Sequence, residues 1–360
     1  MPSDPLLSGQ PAHPATRGRG ALSNPQLRYA RQQTERDAGQ EDAPVRLSQL
    51  TAAHARSIIS RNDSPDIPFR QSINPYQGCE HGCVYCYARP THAWHDLSPG
   101  LDFESRILFK PNAARLLEHE LAAPGYRCQP IALGANTDPW QPAEKRLRIT
   151  RQILETLWKH RHPVMIVTKG ALLERDLDLL GNFAAANLVS VRISLTSLDT
   201  ATKRGLEPRA ASPQVRLKLI SQLAERGIPV GALIAPVIPA INDHELEDLL
   251  GAAADAGASS AGYVLLRLPL EVRPLFEEWL QTWHPMRAKH VMSLIHQAHD
   301  GRAYRAEFGL RQRGSGPYAA LLSRRFEAAL KRLGINNEEP PLNCSAFIRP
   351  ALPGQQLSLI

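Results

Sequence analysis

The chain has 360 residues, 43% of them hydrophobic, with five cysteines and a formal net charge of +7. That much apolar material can bury the core of one large domain or two ordinary ones without disulfide staples. An odd cysteine count, with three of the five clustered, argues against a secreted disulfide framework and predicts a reducing, cytoplasmic setting.

Residues 1–60 are rich in Pro, Gly, Gln, Arg and Ala with little periodicity, and are expected to form a mostly disordered, mildly basic tail. Within it, "TRGRGALSNPQLRY" reads as a solvated stretch, as an arm for a polyanion, or as a strip packed on the main body. The first residues lack an apolar core, so no signal peptide is expected. The longest nearly unbroken apolar run, residues 230–241, carries two prolines and falls short of the ~20 residues a membrane span needs, so no membrane partner is expected.

From residue 70 the pattern changes. Short apolar, β-branched runs occur at 71–78, 130–136, 163–170, 188–196, 228–236 and 261–269, with helical patterns between them. "SPQVRLKLISQLAERG" is the clearest helix, with a Ser N-cap, Pro at the first helical position and a Gly stop. Six strand–helix units over residues 65–270 predict a parallel sheet covered by helices, either an open doubly wound sheet or an incomplete (β/α) barrel. In both, ligands gather at the carboxyl ends of the strands. Residues 271–335 read as a helical extension and 336–360 as an irregular tail. The extension carries an arginine excess, including Arg302, Arg305, Arg311, Arg313 and Arg325, which reads as a solvated face or a substrate-gripping surface. The net positive charge permits a nucleic-acid partner without identifying one.

"CEHGCVYC" places Cys79, Cys83 and Cys86 within eight residues, just after the first strand. Gly78 and Gly82 relax the backbone so that three thiolates can converge. A structural zinc site wants four ligands, so His81, His92, His95, Cys128 or Cys344 would have to complete it. A [4Fe–4S] cluster accepts three thiolates and keeps one iron open, which is useful when a second molecule must coordinate the metal.

This C-x3-C-x2-C spacing, with an aromatic before the third cysteine, resembles the signature of the radical S-adenosylmethionine (SAM) enzymes. The further stretches "GANTDPWQP", "TKG", "SLTSLD", "EPRAASP" and "LRLP" resemble the branch related to spore photoproduct lyase. The resemblance covers roughly residues 70–330 and implies a partial (β/α)6 TIM-like barrel. It also implies that Cys79, Cys83 and Cys86 hold a [4Fe–4S] cluster whose fourth iron takes S-adenosylmethionine. Reductive cleavage would then give a 5′-deoxyadenosyl radical that abstracts hydrogen from a substrate. Tyr85, Tyr87, Asn136, Thr137, Lys169, Ser194 and Thr196 are the expected cosubstrate contacts. Family members often carry a Gly-Gly-Glu where this chain reads "GANTDP", so that contact must be made differently. Asp138, Glu207, Arg209 and Arg267 are the expected substrate contacts, Arg267 as a bidentate grip on an anion and Glu207 with Arg209 alternatively as a structural ion pair. Cys128 should lie at the amino end of its strand as a core cysteine, and Cys344 could act only if its tail folds over the barrel mouth. An electron donor such as flavodoxin or ferredoxin is the expected partner, and a nucleic-acid base the leading substrate. The other class of function is a non-catalytic nucleic-acid-binding protein stabilised by zinc or an iron–sulfur group.

Overall fold

The computed structural model describes residues 18–25, 27–29, 48–335 and 340–351. Residues 1–17, 26, 30–47, 336–339 and 352–360, which hold most of both expected tails, lie outside the described residues.

Ten strands are described: β1 (Gln49–Ala52), β2 (Ile59–Arg61), β3 (Gln71–Ile73), β4 (Tyr76–Gln77), β5 (Arg106–Phe109), β6 (Ile131–Leu133), β7 (Val164–Thr168), β8 (Val189–Leu195), β9 (Val230–Val237) and β10 (Ser260–Leu265). The main sheet runs β10-β9-β8-β7-β6-β3-β2. Its six strands from β3 to β10 pair in parallel in chain order, and β2 adds antiparallel at the β3 edge. This is the partial (β/α)6 barrel, and the strands carry near-continuous apolar side chains because helices cover the outer face. Ile73, Leu133 and Ile166 sit side by side in register, followed by Val191 and then Val230, all buried.

The expected first strand is broken. β3 and β4 belong to different sheets, with Asn74 and Pro75 between them. Pro75 has no N–H for a ladder, and β4 turns away to pair antiparallel with β5 in a small sheet, β1-β5-β4. The cysteine loop therefore leaves this side sheet and returns toward the barrel mouth.

The helix Pro213–Glu225 begins as its sequence predicts, with Ser212 Oγ accepting the Val215 N–H at 3.3 Å. Beyond β10, helices Val272–Trp283, Ala288–Ala298 and Gly316–Leu333 pack back on the barrel. The last is fixed to helix Leu246–Asp255 and the turn before it, by Arg325 on Glu247 and Tyr318 on Asp243. Much of the arginine excess is structural. Arg305 pairs with Asp300 and Glu307, Arg311 with Asp66, and Arg313 lies 4.0 Å from the centre of the Tyr263 ring.

Of the readings open for the N-terminal stretch, the described residues 18–25 take the packed one, and the condition set for Cys344 is not met. Residues 20–22 are buried beneath the cysteine loop rather than solvated. Residues 343–349 close the amino end of the barrel, not its mouth: Asn343 N donates to Asn187 O and Ile348 N to His160 O, both at 2.9 Å. Cys344 thus meets Cys128, which is half-buried there, and burial together with Cys344 pushes the Cys128 thiol up to about 12.

Candidate active site

The cysteine loop is pinned at each backbone turn. Gly78 and Gly82 take φ of +81° and +69°, and a Cβ at Gly82 would press within 2.9 Å of Glu104 Oε2. Cys79 N donates to Phe103 O, Val84 N to Leu206 O and Arg209 N to His81 O. Gln141 clamps the loop start, its Oε1 accepting Glu80 N at 2.9 Å and its Nε2 donating to Gly78 O at 3.2 Å. Cys79 and Cys83 are buried, Cys86 is half-buried, and all three thiols are free.

Burial raises all three thiols: Cys79 well above its ordinary value, Cys83 to about 12, and Cys86 in the same direction. The charge of Asp138, and after it that of Cys83 and Cys86, raises Cys79 further. Such thiols ionise only when a strong positive charge arrives, as a bound metal group supplies. Soft sulfur donors from one glycine-bent loop suit an iron–sulfur cluster. Among the described residues, no three His, Cys, Asp or Glu side chains meet at a point suited to a single metal ion.

Beside the loop lies a buried carboxylate hub. Glu207 is fully buried and accepts from Arg216, from the Tyr85 hydroxyl and from Thr196 Oγ1. Lys169 Nζ lies 3.7 Å from Glu207 Oε1, donates to Ser194 Oγ at 2.8 Å, and sits 5.9 Å from the Tyr85 ring centre. Burial alone would raise the Glu207 carboxyl, but Arg216 and then Lys169 hold it down at about 2. Tyr85, Lys169, Ser194 and Thr196 are thus brought together next to the cysteines. Asn242 supports the same place by donating to the Thr196 and Pro236 carbonyls.

Several expected roles shift. Glu207 has its oxygens engaged inside the protein, and its partner is Arg216, not Arg209. Arg209 instead reaches Glu80 and Ser48, both at 3.3 Å, beside the cysteine loop. Asp138 is also enclosed. It accepts from Thr168 Oγ1, Lys169 N and Trp140 N at 2.7–2.9 Å, and its Oδ2 lies 3.3 Å from buried His81. Burial would raise Asp138, but the adjacent His81 and these bonds keep it near 2. Thr137 is buried with its hydroxyl on Tyr76 O, whereas Asn136 is half-buried at the end of β6.

On the other side of the mouth, Tyr87 is 43% exposed and its hydroxyl donates to Ala135 O. The Arg267 guanidinium lies 4.8 Å from the Tyr87 ring centre and 5.9 Å from that of Tyr304. Arg267 Nε is buried without a hydrogen-bond partner among the described residues. Tyr304 continues into a cleft of about 480 Å³ lined by Leu268, Leu270, Arg273, His296 and Arg302. Sequence reasoning missed Arg216, Gln141, Asn242 and Tyr304, although Gln141 stands in "GANTDPWQP" and Arg216 in "SPQVRLKLISQLAERG".

An uncharacterized protein of Mycobacterium tuberculosis is 41% identical over 221 residues, which is 61% of this chain. The match spans 65% of that relative's own length, just under two thirds. An uncharacterized protein of Methanocaldococcus jannaschii is 31% identical over 48% of this chain and 62% of its own length. Among solved structures, spore photoproduct lyase complexed with dinucleoside spore photoproduct superposes with a TM-score of 0.57 at 16% identity, covering 79% of each chain. A mutant of that lyase with bound AdoMet and dinucleoside spore photoproduct gives 0.58 at 16% identity, with the same coverage. At such identity the likeness is one of fold. The sequence model of the radical SAM superfamily matches residues 73–253, half of the chain, and takes in the cysteine loop, Lys169 and the Glu207 hub; this chain belongs to the radical SAM superfamily.

Proposed function

We propose that this chain is a radical SAM enzyme in which Cys79, Cys83 and Cys86 hold a [4Fe–4S] cluster and leave one iron for S-adenosylmethionine. The observation that carries this reading is three free thiols on one bent loop at the carboxyl ends of the strands, next to a lysine held by a buried carboxylate. When bound, the cluster and cosubstrate supply a 5′-deoxyadenosyl radical for hydrogen abstraction. The chain's own residues position and enclose. Lys169 offers its ammonium to the methionine carboxylate, Ser194 and Asn136 offer hydroxyl and amide, and Tyr85 walls the site with its ring while its hydroxyl is tied to Glu207. Thr196 acts through Glu207, not by direct contact.

The substrate reading favoured by the mouth is a nucleic-acid base or nucleotide. Tyr87 and Tyr304 present rings on which a base can stack, and Arg267 has an unpaired buried N–H beside them. A one-electron donor of the flavodoxin or ferredoxin kind completes the system.

Anaerobic reconstitution should load about four irons and four sulfides per chain. Adding S-adenosylmethionine should change the electron paramagnetic resonance of the reduced cluster, and the reduced protein should release 5′-deoxyadenosine. One zinc per chain without iron, or a cluster that ignores S-adenosylmethionine, would falsify the reading. The nucleic-acid part is tested separately: binding to single-stranded DNA or RNA should weaken steeply with salt, and no binding at low salt removes it.

A further inference from the structure

The N-terminal strip 18–25 is built into the back of the cysteine loop. Gly20 is buried so tightly that a Cβ there would sit 1.8 Å from Gly82 O and 3.2 Å from Val84 N. The contact is backbone on backbone, so a side chain at position 20 can be relieved only by moving one of the two strands of chain. Gly20 N and Ala21 N donate to the two oxygens of fully buried Glu104 at 3.0 and 2.8 Å, and Arg19 donates to Glu104 O at 2.6 Å. Glu104 also accepts from fully buried Arg89, whose Nε donates to Cys83 O at 2.9 Å. The strip is held at its far end by Ser23 on Glu278 and by an exchange of bonds between Asn24 and Asp102.

We infer that residues 18–25 are a positioning strap of the cluster site, closing its rear and fixing Cys83 through Glu104 and Arg89. This rests on the assignment of Cys79, Cys83 and Cys86 as cluster ligands. Two buried N–H groups and a carboxylate satisfy one another only while the strap is seated. If it lifts, Glu104 loses two donors, and the Gly82–Val84 backbone opens to water. The strap therefore acts as an outer shell, and loss of outer-shell partners typically weakens metal sites by roughly 10–100-fold.

The test uses the full chain, reconstituted anaerobically. Gly20→Val should load iron but lose it to a chelator at least about tenfold faster than the parent. Hydrogen exchange should speed up at residues 20–22 and 79–86 together, while helix Pro213–Glu225 stays as protected as before. Wild-type chelator resistance with a deprotected strap overturns the inference, as does an unchanged strap, since the collision would then be absent. If Gly20→Val does not fold, exchange of the parent decides. Cluster loading should slow the amides of Gly20 and Ala21, and no slowing overturns the strap. If the parent itself takes up no cluster, it is the ligand assignment that fails.

Discussion

Glu207 gathers Arg216, Lys169, Tyr85 and Thr196 on one buried carboxylate, and this has a cost if the charge is removed. Arg216 is 2% exposed and cannot reach water. Glu207→Gln leaves that guanidinium buried beside a neutral amide, a situation that costs about 3–5 kcal/mol. Urea unfolding of iron-free protein should show a loss of this size; a loss below about 1 kcal/mol would mean that Arg216 finds another partner. Replacing Arg216 by Met as well should recover part of it, because the stranded charge is gone. The sequence made Glu207 visible in "EPRAASP" but pointed to the adjacent Arg209. Which arginine it meets depends on how helix Pro213–Glu225 is rotated against β8, and no spacing rule fixes that rotation. Ser194 and Thr196 were legible because residues two apart on a strand share a side. Lys169 was legible by its place at the end of β7.

Whole elements were easier to read than their partners. The six apolar runs became the six parallel strands because a sheet covered on its outer face leaves little room for polar residues inside the runs. The helix Pro213–Glu225 was legible end to end, since its caps are local chemistry. Ser212→Ala should cost about 1 kcal/mol in urea unfolding, whereas Ser212→Asp should hold or raise stability by keeping an acceptor and adding charge at the helix N-terminus. Equal losses in both variants would show that the cap bond at 3.3 Å contributes little. For the strap, packing on the body was one of the readings open in the sequence, but its partners were not legible. It has no periodicity, and its worth lies in close approach to Gly82 and in two N–H groups aimed at Glu104, 83 and 84 residues away. The break at Pro75 could have been read from proline alone, but the side sheet that captures β4 could not.

At the scale of the whole molecule, the barrel is closed at its amino end by residues 343–349, which trap His162. Its Nε2 lies 2.7 Å from the Tyr126 hydroxyl, its Nδ1 3.0 Å from Pro163 O, and the Phe347 ring stands edge-on at 5.4 Å. His162 is fully buried, and burial first, with nearby His160 adding to it, lowers it to about 4 against a Pro163 carbonyl that pulls the other way. An unfolded histidine titrates near 6.5. Between these values the unfolded chain binds the proton and the folded chain does not. Stability from this group is thus complete above about pH 6.5 and is lost as pH falls toward 4, by about 3 kcal/mol at the bottom of the window. His92, also lowered to about 4 by burial, adds to the same acid loss in parent and variant alike. Guanidinium unfolding of iron-free protein at several pH values should show a shallower fall for His162→Gln than for the parent, the difference being of this order. Phe347→Ala should act in the same direction, because opening the ring contact lets water reach the imidazole and raises it toward its ordinary value. If both variants follow the parent's slope, the acid sensitivity belongs to other groups and the seal at the amino end does not govern it.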